Sequence, residues 1–442
     1  MSPAFFYGSR PDAQTTFFFF SLLSTAGLIY LFLFWIIPKL HPNKRYFILA
    51  ILIGVAARGC FFGSTSIYED DWYRYLWDGA VLSAGVNPYL FPPADALPDL
   101  VFGDEPIISG PEAEIVLNLA QQHEDFPDRV AYPYITTIYP PVAQLGFAAA
   151  HKIKPFSLDA WRVVLFATDL FALSILLLLL KHFRRNPFWV LLYWWNPLLI
   201  LTAFNAGHMD ILLVPFLASA VLLSLKERPC LSAIALGCAA GVKLWPVMLA
   251  PLLYRHWRTK FTTLISITVC LAASLAIFVL PMIVSLEPQT SGLSAYANEW
   301  VRNAFIFPML VSLFDAVSYD GDIIARFTVA GLTLSFIAYF ALFGKNEPDR
   351  VPQLMLAATA MLFFLSPTGY SWYAIWLFMF LPIAPSFGIA CLTLTLPIYY
   401  LRFYFSNTGQ ADIFNNILTP IEFGVPLLVL AGLYAKDAMR RS

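Results

Sequence analysis

Charge is scarce in this chain: Asp, Glu, Lys and Arg make up 12% of its 442 residues, against roughly 25% in soluble domains. With 59% of residues hydrophobic, it lacks the polar surface that a soluble globule needs. Neither sign of charge is in excess, 27 Lys plus Arg facing 28 Asp plus Glu, so nothing suits nucleic-acid phosphates and no nucleic-acid partner is expected. Cysteine is sparse as well. Cys60, Cys230, Cys238, Cys270 and Cys391 lie scattered in apolar stretches without a CxxC pair. That spacing argues against a disulfide framework or a thiolate metal site and leaves them as small core hydrophobes. No P-loop, GxGxxG, HExxH or GxSxG motif stands where its strand or helix context is available, so nucleotide-driven chemistry and zinc hydrolysis lack support.

What the chain does have is long apolar runs. They lie near residues 17–38, 46–63, 159–180, 187–204, 210–225, 261–284, 323–343, 351–366, 372–386, 388–401 and 418–435. Met1 to Thr16 carries Arg10 and Asp12 without a cleavage pattern, so the first run is expected to be a true anchor. In lipid every backbone group must be paired internally, and these runs show no period-2 alternation; helices are therefore expected, not a barrel. The expectation is an all-α, polytopic bundle of about 11 spans, with residues 1–442 as one domain.

Basic residues gather at every second junction: Lys39/Lys44/Arg45, Lys181/Arg184/Arg185, Lys226/Arg228, Arg255/Arg258/Lys260, Lys345/Arg350 and Lys436/Arg440/Arg441. The positive-inside rule assigns these six to the cytoplasm. Residues 230–254 lie between two such clusters and must cross an even number of times or not at all. Arms of about a dozen residues reach only about 18 Å, short of a roughly 30 Å hydrocarbon core. A short or re-entrant hairpin is expected, with Lys243 of GVKLWP near its tip; a kinked single helix would invert everything downstream. Residues 64–158 form an outer connection far longer than usual, and such connections tend to be functional. Surface helices are expected in it from about Asp71 to Ala84, closed by Gly85, and near Pro111 to Gln122.

The densest polar signal is YEDDWYRYLWDG, residues 68–79. On a helix begun here, Asp71, Arg74 and Asp78 share one face, with Asp70 at the start. Such a face offers a carboxylate base beside a fixed cation, although Asp70 or Asp71 capping a surface helix is the plainer use. The position at the head of a long outer loop, followed by Asn87-Pro88-Tyr89 and Tyr139-Pro140-Pro141 turns, shifts the balance toward a site. In NAGHMD, Asn205, His208 and Asp210 suit a sugar hydroxyl or polar capping equally; a metal normally needs three or four ligands, and no further histidine has the spacing. Asp169 lies inside an apolar run, where structural pairing outweighs catalysis as the expectation. For Lys243, a lipid phosphate and a simple reach to headgroups stand level.

In their order, YEDDWYRYLWDGAVLSAGVNPY, TIYPPVAQL, NPLLIL with NAGHMD, GVKLWP, YANEWVRN and SPTGYSWYAIW resemble the GT-C integral-membrane glycosyltransferases. The resemblance is closest to polyprenol-phosphate-mannose-dependent mannosyltransferases, bacterial ones and the GPI mannosyltransferase 1 type, and runs from about Tyr68 to Pro382. It implies transfer of a sugar, mannose by analogy, from a polyprenyl monophosphate to an acceptor hydroxyl on the outer face, with inversion. Carried over, Asp70 becomes the general base with Asp71 beside it, and Lys243 matches the lysine of a K-aromatic-proline signature. His208 and Asp210 match a Gly-His-Asn-Asp element in which Met209 replaces the Asn. Tyr370-Ser371 stands where bacterial relatives often show His-Pro before the Trp-Tyr pair that here includes Trp372. Arg74, Asp78, His208, Asp210, Tyr370 and Trp372 join Lys243 as expected substrate contacts, with Arg302 or Arg402 as further cations for the phosphate.

The expected partners are a polyprenyl-phosphate sugar donor, a glycan or lipid acceptor and the bilayer, here a bacterial plasma membrane. One phosphate needs no divalent ion for charge balance, while the Asp70/Asp71 pair is of a kind that suits Mg²⁺ or Mn²⁺. The rival class is a transporter or flippase for a lipid-linked sugar. Transporters usually carry internal repeats and midplane polar sites, and this sequence shows polar residues gathered at one face instead.

Overall fold

A computed structural model describes residues 12–96, 108–123, 126, 129–285, 290–345 and 347–441. Arg10 lies outside these residues, as do the side chains of Arg440 and Arg441. The described residues are helical throughout and form no strand; Arg302 and Thr368 make an isolated bridge. Six helices are long and apolar enough to cross a membrane: Ala13–Lys39, Leu158–His182, Phe261–Phe278, Gly321–Leu342, Phe387–Asn407 and Ala411–Lys436. A seventh arises if Pro187–Trp194 and Pro197–Asn205, which meet at 52°, count as one span. The break has a local cause: Asn196 caps the second piece by accepting from the Leu199 amide at 3.0 Å, and Pro197 cannot continue a ladder from the first.

Fewer helices thus meet the length and composition of a crossing than there are apolar runs. Lys44–Gly59 and Val351–Leu365 have 16 and 15 residues and rise about 24 and 22 Å, short of the hydrocarbon thickness. Residues 372–386 are not a span at all. They form short turns, Ser371–Ala374 and Ile375–Phe378, and every residue from Tyr370 to Ala384 is buried in protein. Phe261–Phe278 and Gly321–Leu342 instead point large side chains outward, with Val269 61% and Phe327 74% exposed, as lipid-facing helices do.

The hairpin at 230–254 does double back. Pro229–Ala240 leads into a turn at residues 241–244, and Trp245–Leu249 and Ala250–Leu253 return. Ser232 near the start of the first arm lies 3.2 Å from the Tyr254 hydroxyl at the end of the second, so the two ends are level. Gly241 marks the tip. A Cβ there would lie 2.5 Å from Val142 and 2.8 Å from Phe278, and its carbonyl accepts from the Val142 and Ala143 amides at 2.9 and 3.2 Å. The tip is thereby fixed to the start of the Pro141–Ile153 helix, which the sequence reading treated only as a turn.

Within 64–158, helices Asp71–Ser83 and Pro111–Gln122 stand where expected. The former lies on Pro141–Ile153: Tyr75 stacks on Phe147 with ring centres 4.8 Å apart, and a Cβ on Gly79 would meet the Phe147 carbonyl at 2.4 Å. Asp169 is paired, as its surroundings required. Its carboxylate takes the Arg58 Nε and the Tyr193 hydroxyl, the latter at 2.6 Å, and Arg58 also bonds the Gly54 and Trp194 carbonyls.

Candidate active site

The segment ahead of the acidic motif is bound to the NAGHMD turn. Asn205 accepts from the Ile67 amide and donates to the Thr65 carbonyl, both at 2.9 Å. Arg162 closes the same junction, donating to the carbonyls of Phe204, Asn205 and Ser64 at 2.6, 3.1 and 2.8 Å. Gly207, at φ +77, turns the chain sharply so that His208 faces the acidic residues. Two motifs separated by well over a hundred residues thus share one locus.

Glu69, Asp70 and Asp71 line a cavity of about 1140 Å³. Asp70 occupies the N-cap position of Asp71–Ser83, yet its carboxylate makes no cap hydrogen bond, so the plain capping role is not the one it plays. Asp71 has its ordinary value of 3.8 pushed up to about 7, first by burial and then by the charge on Asp70. Glu69 is buried and raised well above the usual carboxylate range by burial and by the charges of both aspartates; its Oε1 has no partner.

His208 sits behind this row, 3.6 Å from Asp71 and 3.8 Å from Glu69 through its two nitrogens. Burial and the nearby Lys243 charge hold its pKa well down, so the imidazole is neutral. Its ring stacks on Trp372 at 3.7 Å, and Trp372 stacks on Tyr370 at 4.4 Å. These rings form one aromatic wall of the cavity. Tyr373 and Trp376 form another, stacked at 4.3 Å, with Tyr296 bonded to the Tyr373 hydroxyl at 3.1 Å.

Lys243 reaches the cavity from the hairpin tip. Its ammonium is 2.7 Å from Asp210 Oδ1, which also accepts from Trp376 Nε1 at 2.6 Å, and lies 3.9 Å from the centre of the Tyr373 ring. Asp210 Oδ2 has no partner. Burial lowers the Lys243 pKa and the Asp210 charge counters it. Arg74 donates to Asp78 at 2.9 Å and to the Ile135 carbonyl at 3.0 Å, leaving Nη2 unpartnered. Arg326 and Arg402 also line the cavity.

Of the residues named from sequence, Asp70, Asp71, Arg74, Asp210, Lys243, Tyr370 and Trp372 line this cavity, and His208 lies directly behind it. Asp78 does not line it. Its carboxylate is spent on Arg74 and on Gln144 at 3.2 Å, holding two helices together. Arg302 does not line it either: its backbone pairs with Pro367 and Gly369 and its side chain is exposed. Glu69, Tyr296, Arg326, Tyr373 and Trp376 were not singled out. Glu69 adjoins the aspartate pair, and Tyr373 and Trp376 fall within SPTGYSWYAIW, so for these three the signal lay inside segments the sequence had already marked. Among the described residues no three His, Cys, Asp or Glu side chains converge as a metal-binding group.

Among the described residues, helices of crossing length thus stand beside a large acidic, aromatic and cationic cavity. A family model for glycosyltransferase family 87, of the GT-C membrane type, matches residues 137–367, just over half of the chain, and the chain belongs to that family. It is a membrane glycosyltransferase. The match takes in NAGHMD and the hairpin; the carboxylate pair precedes it and Tyr370 and Trp372 follow it. No curated protein and no solved structure matches the chain.

Proposed function

We propose that the chain transfers a sugar, mannose in the first instance, from a polyprenyl monophosphate to a glycan or lipid hydroxyl on the extracytoplasmic side of a bacterial plasma membrane. What carries the reading is that one cavity holds a carboxylate pair, cations and aromatic walls, with an apolar side at Val247, Met248, Leu293 and Leu362 for a hydrocarbon tail. The acceptor oxygen attacks the anomeric carbon from the face opposite the phosphate, its proton passes to Asp70, and the C1–O bond breaks with its electron pair leaving on the phosphate. One displacement inverts the centre. Ionised Asp71 makes Asp70 the stronger base through like-charge repulsion. The phosphate is received by Lys243, whose ammonium has donors beyond the one given to Asp210, and by Arg402. Neutral His208 backs Trp372 through its ring stack, and the Tyr370–Trp372 face offers a stacking surface for the sugar. Two cations balance one phosphate, so this reading calls for no resident divalent ion.

The test is the purified full chain with a short polyprenyl-phosphate mannose and extracted membrane glycolipids. Release of polyprenyl phosphate together with a sugar-extended product of inverted configuration is expected. Transfer from a nucleotide sugar alone, or movement of the lipid-linked sugar across liposomes without transfer, would overturn it.

A further inference from the structure

We propose that the basic end of the hairpin binds one anionic glycerophospholipid, its phosphate on Arg255 and Arg258 and one acyl chain in the groove beside the Gly321–Leu342 helix. The basic end of this site lies away from the cavity above and does not depend on which sugar that cavity takes, while the groove shares Val247 and Met248 with the cavity's apolar side.

Arg255 is 3% exposed, yet its Nε and Nη1 have no hydrogen-bond partner. A buried guanidinium without an anion is costly, and the acids nearby do not pair with it. Glu347 is bonded to Arg350, the charge of Asp349 acts on Arg185 and that of Glu227 on His256. Burial presses the Arg255 pKa down, Arg258 and Arg350 add like charge, and the charge of Glu347 counters them only in part. Arg258 uses Nη1 to cap the end of Gly321–Leu342, donating to the Ala341 and Gly344 carbonyls at 3.3 and 3.2 Å. Arg255 lies against the same end, since a Cβ on Gly344 would be 3.3 Å from its Nη2. Both guanidiniums therefore meet where the helix stops, and Lys260 and Lys345 follow in the adjoining chain.

The groove begins at that point. It has a volume of about 500 Å³ and is lined only by apolar residues, among them Met248, Pro251, Leu334, Ile337, Ala338 and Ala341. The small side chains of Ala338 and Ala341 leave the space, and Leu334 to Leu342 spans about 12 Å of helix. Leu334 and Leu342 are 54% and 62% exposed, so the groove opens to the lipid side. A phosphate diester fits the forked donors of arginine, and surplus positive charge at a helix junction selects an anionic over a zwitterionic headgroup. The donor's own phosphate is the other candidate of this chemistry. Arg326, at the cavity end of the same helix, is about 22 Å from Ala341 along the axis, so a phosphate held in the cavity does not reach Arg255.

Native mass spectrometry of the detergent-solubilised full chain, with phosphatidylglycerol and phosphatidylcholine of identical acyl chains, tests this. Retention of phosphatidylglycerol at least tenfold above phosphatidylcholine is expected, with loss of that preference in Arg255→Met, partial recovery in Arg255→Lys, and weaker retention in Ala338→Phe, which fills the groove and leaves every charge in place. Equal retention of the two lipids would overturn the proposal, as would undiminished phosphatidylglycerol retention in Ala338→Phe. Displacement of phosphatidylglycerol by a polyprenyl phosphate in an Arg255-dependent manner would assign the groove to the donor instead. If Arg255→Met does not fold, Ala338→Phe decides.

Discussion

Arg58–Asp169 and Lys243–Asp210 are both buried ion pairs flanked by apolar helices, but they are closed in different ways. Both members of the first are fully buried; Asp169 is bonded through both oxygens, and Arg58 lies 3.5 Å over the Trp194 ring. In the second, Asp210 keeps one oxygen unpartnered and the Lys243 side chain is 21% exposed toward the cavity. Buried charge is expensive either way. The first pair binds Lys44–Gly59 to Leu158–His182; Arg58 Nη2 lacks a hydrogen-bond partner, but neither residue of the pair lines the cavity. The open pair holds a cation at a cavity wall with donors to spare, so an ionisable residue in an apolar stretch marks a site when its unused hydrogen-bonding capacity faces a cavity.

The largest effect should come from the open side. Asp70→Asn keeps shape and hydrogen bonding but cannot take the acceptor proton, so transfer should fall by about 10²- to 10⁴-fold, the usual range for a general base. The isosteric amide should leave folding and membrane insertion intact; turnover assay and thermal scan on the same sample check both, and near-normal turnover removes Asp70 as the base. Asp169→Asn should do the reverse. Leaving Arg58 buried without its counter-ion should cost about 3–5 kcal/mol of stability, read as lower yield and melting temperature, while donor KM per folded molecule stays constant. A stable but inactive Asp169→Asn enzyme would break the comparison. Lys243→Met removes a charge-assisted bond worth about 1.5–3 kcal/mol, so use of a polyprenyl-phosphate sugar should weaken roughly tenfold or more at limiting donor. Lys243→Arg should recover part, since charge survives and geometry changes. Unaltered donor dependence in Lys243→Met would mean the lysine serves Asp210 alone, and Arg402 would be the phosphate residue to test.

The same contrast explains what could be read from the sequence. Local signals were legible: the helix at Asp71–Ser83, that at Pro111–Gln122, the hairpin with Lys243 at its tip, and the paired state of Asp169 all follow from capping, turn residues, arm length and the cost of charge in apolar surroundings. Crossing number was not, because hydropathy reports that a segment avoids water and not whether lipid or protein surrounds it; residues 370–384 are apolar through burial in protein. Tyr373 and Trp376 were hidden for the same reason, as aromatics in an apolar run look like core until Lys243 is seen against their faces. Arg302 is the converse case. A cation in an outer segment resembles a phosphate ligand, but its amide and carbonyl are committed to the 367–369 turn and its exposed side chain is not among those lining the cavity.

The smallest expected effect is the most specific to the carboxylate pair. Asp71 titrates near 7 in the folded chain against an ordinary value of 3.8, so between those limits the folded state holds a proton that the unfolded state has released. Stability from this group is full below pH 3.8, declines as pH rises, and is lost once pH passes about 7. Activity should run the opposite way. As pH rises through about 7, Asp71 ionises and its charge strengthens Asp70 as a base, so transfer should increase by less than about tenfold across that interval. Asp71→Asn removes both slopes: its melting temperature should depend less on pH between 4 and 7, and its pH–rate profile should lose the rise near 7 while keeping most of the turnover. An unchanged rise in Asp71→Asn would place that titration on Glu69 or on the substrate phosphate, and the open pair would then act without tuning by its neighbour.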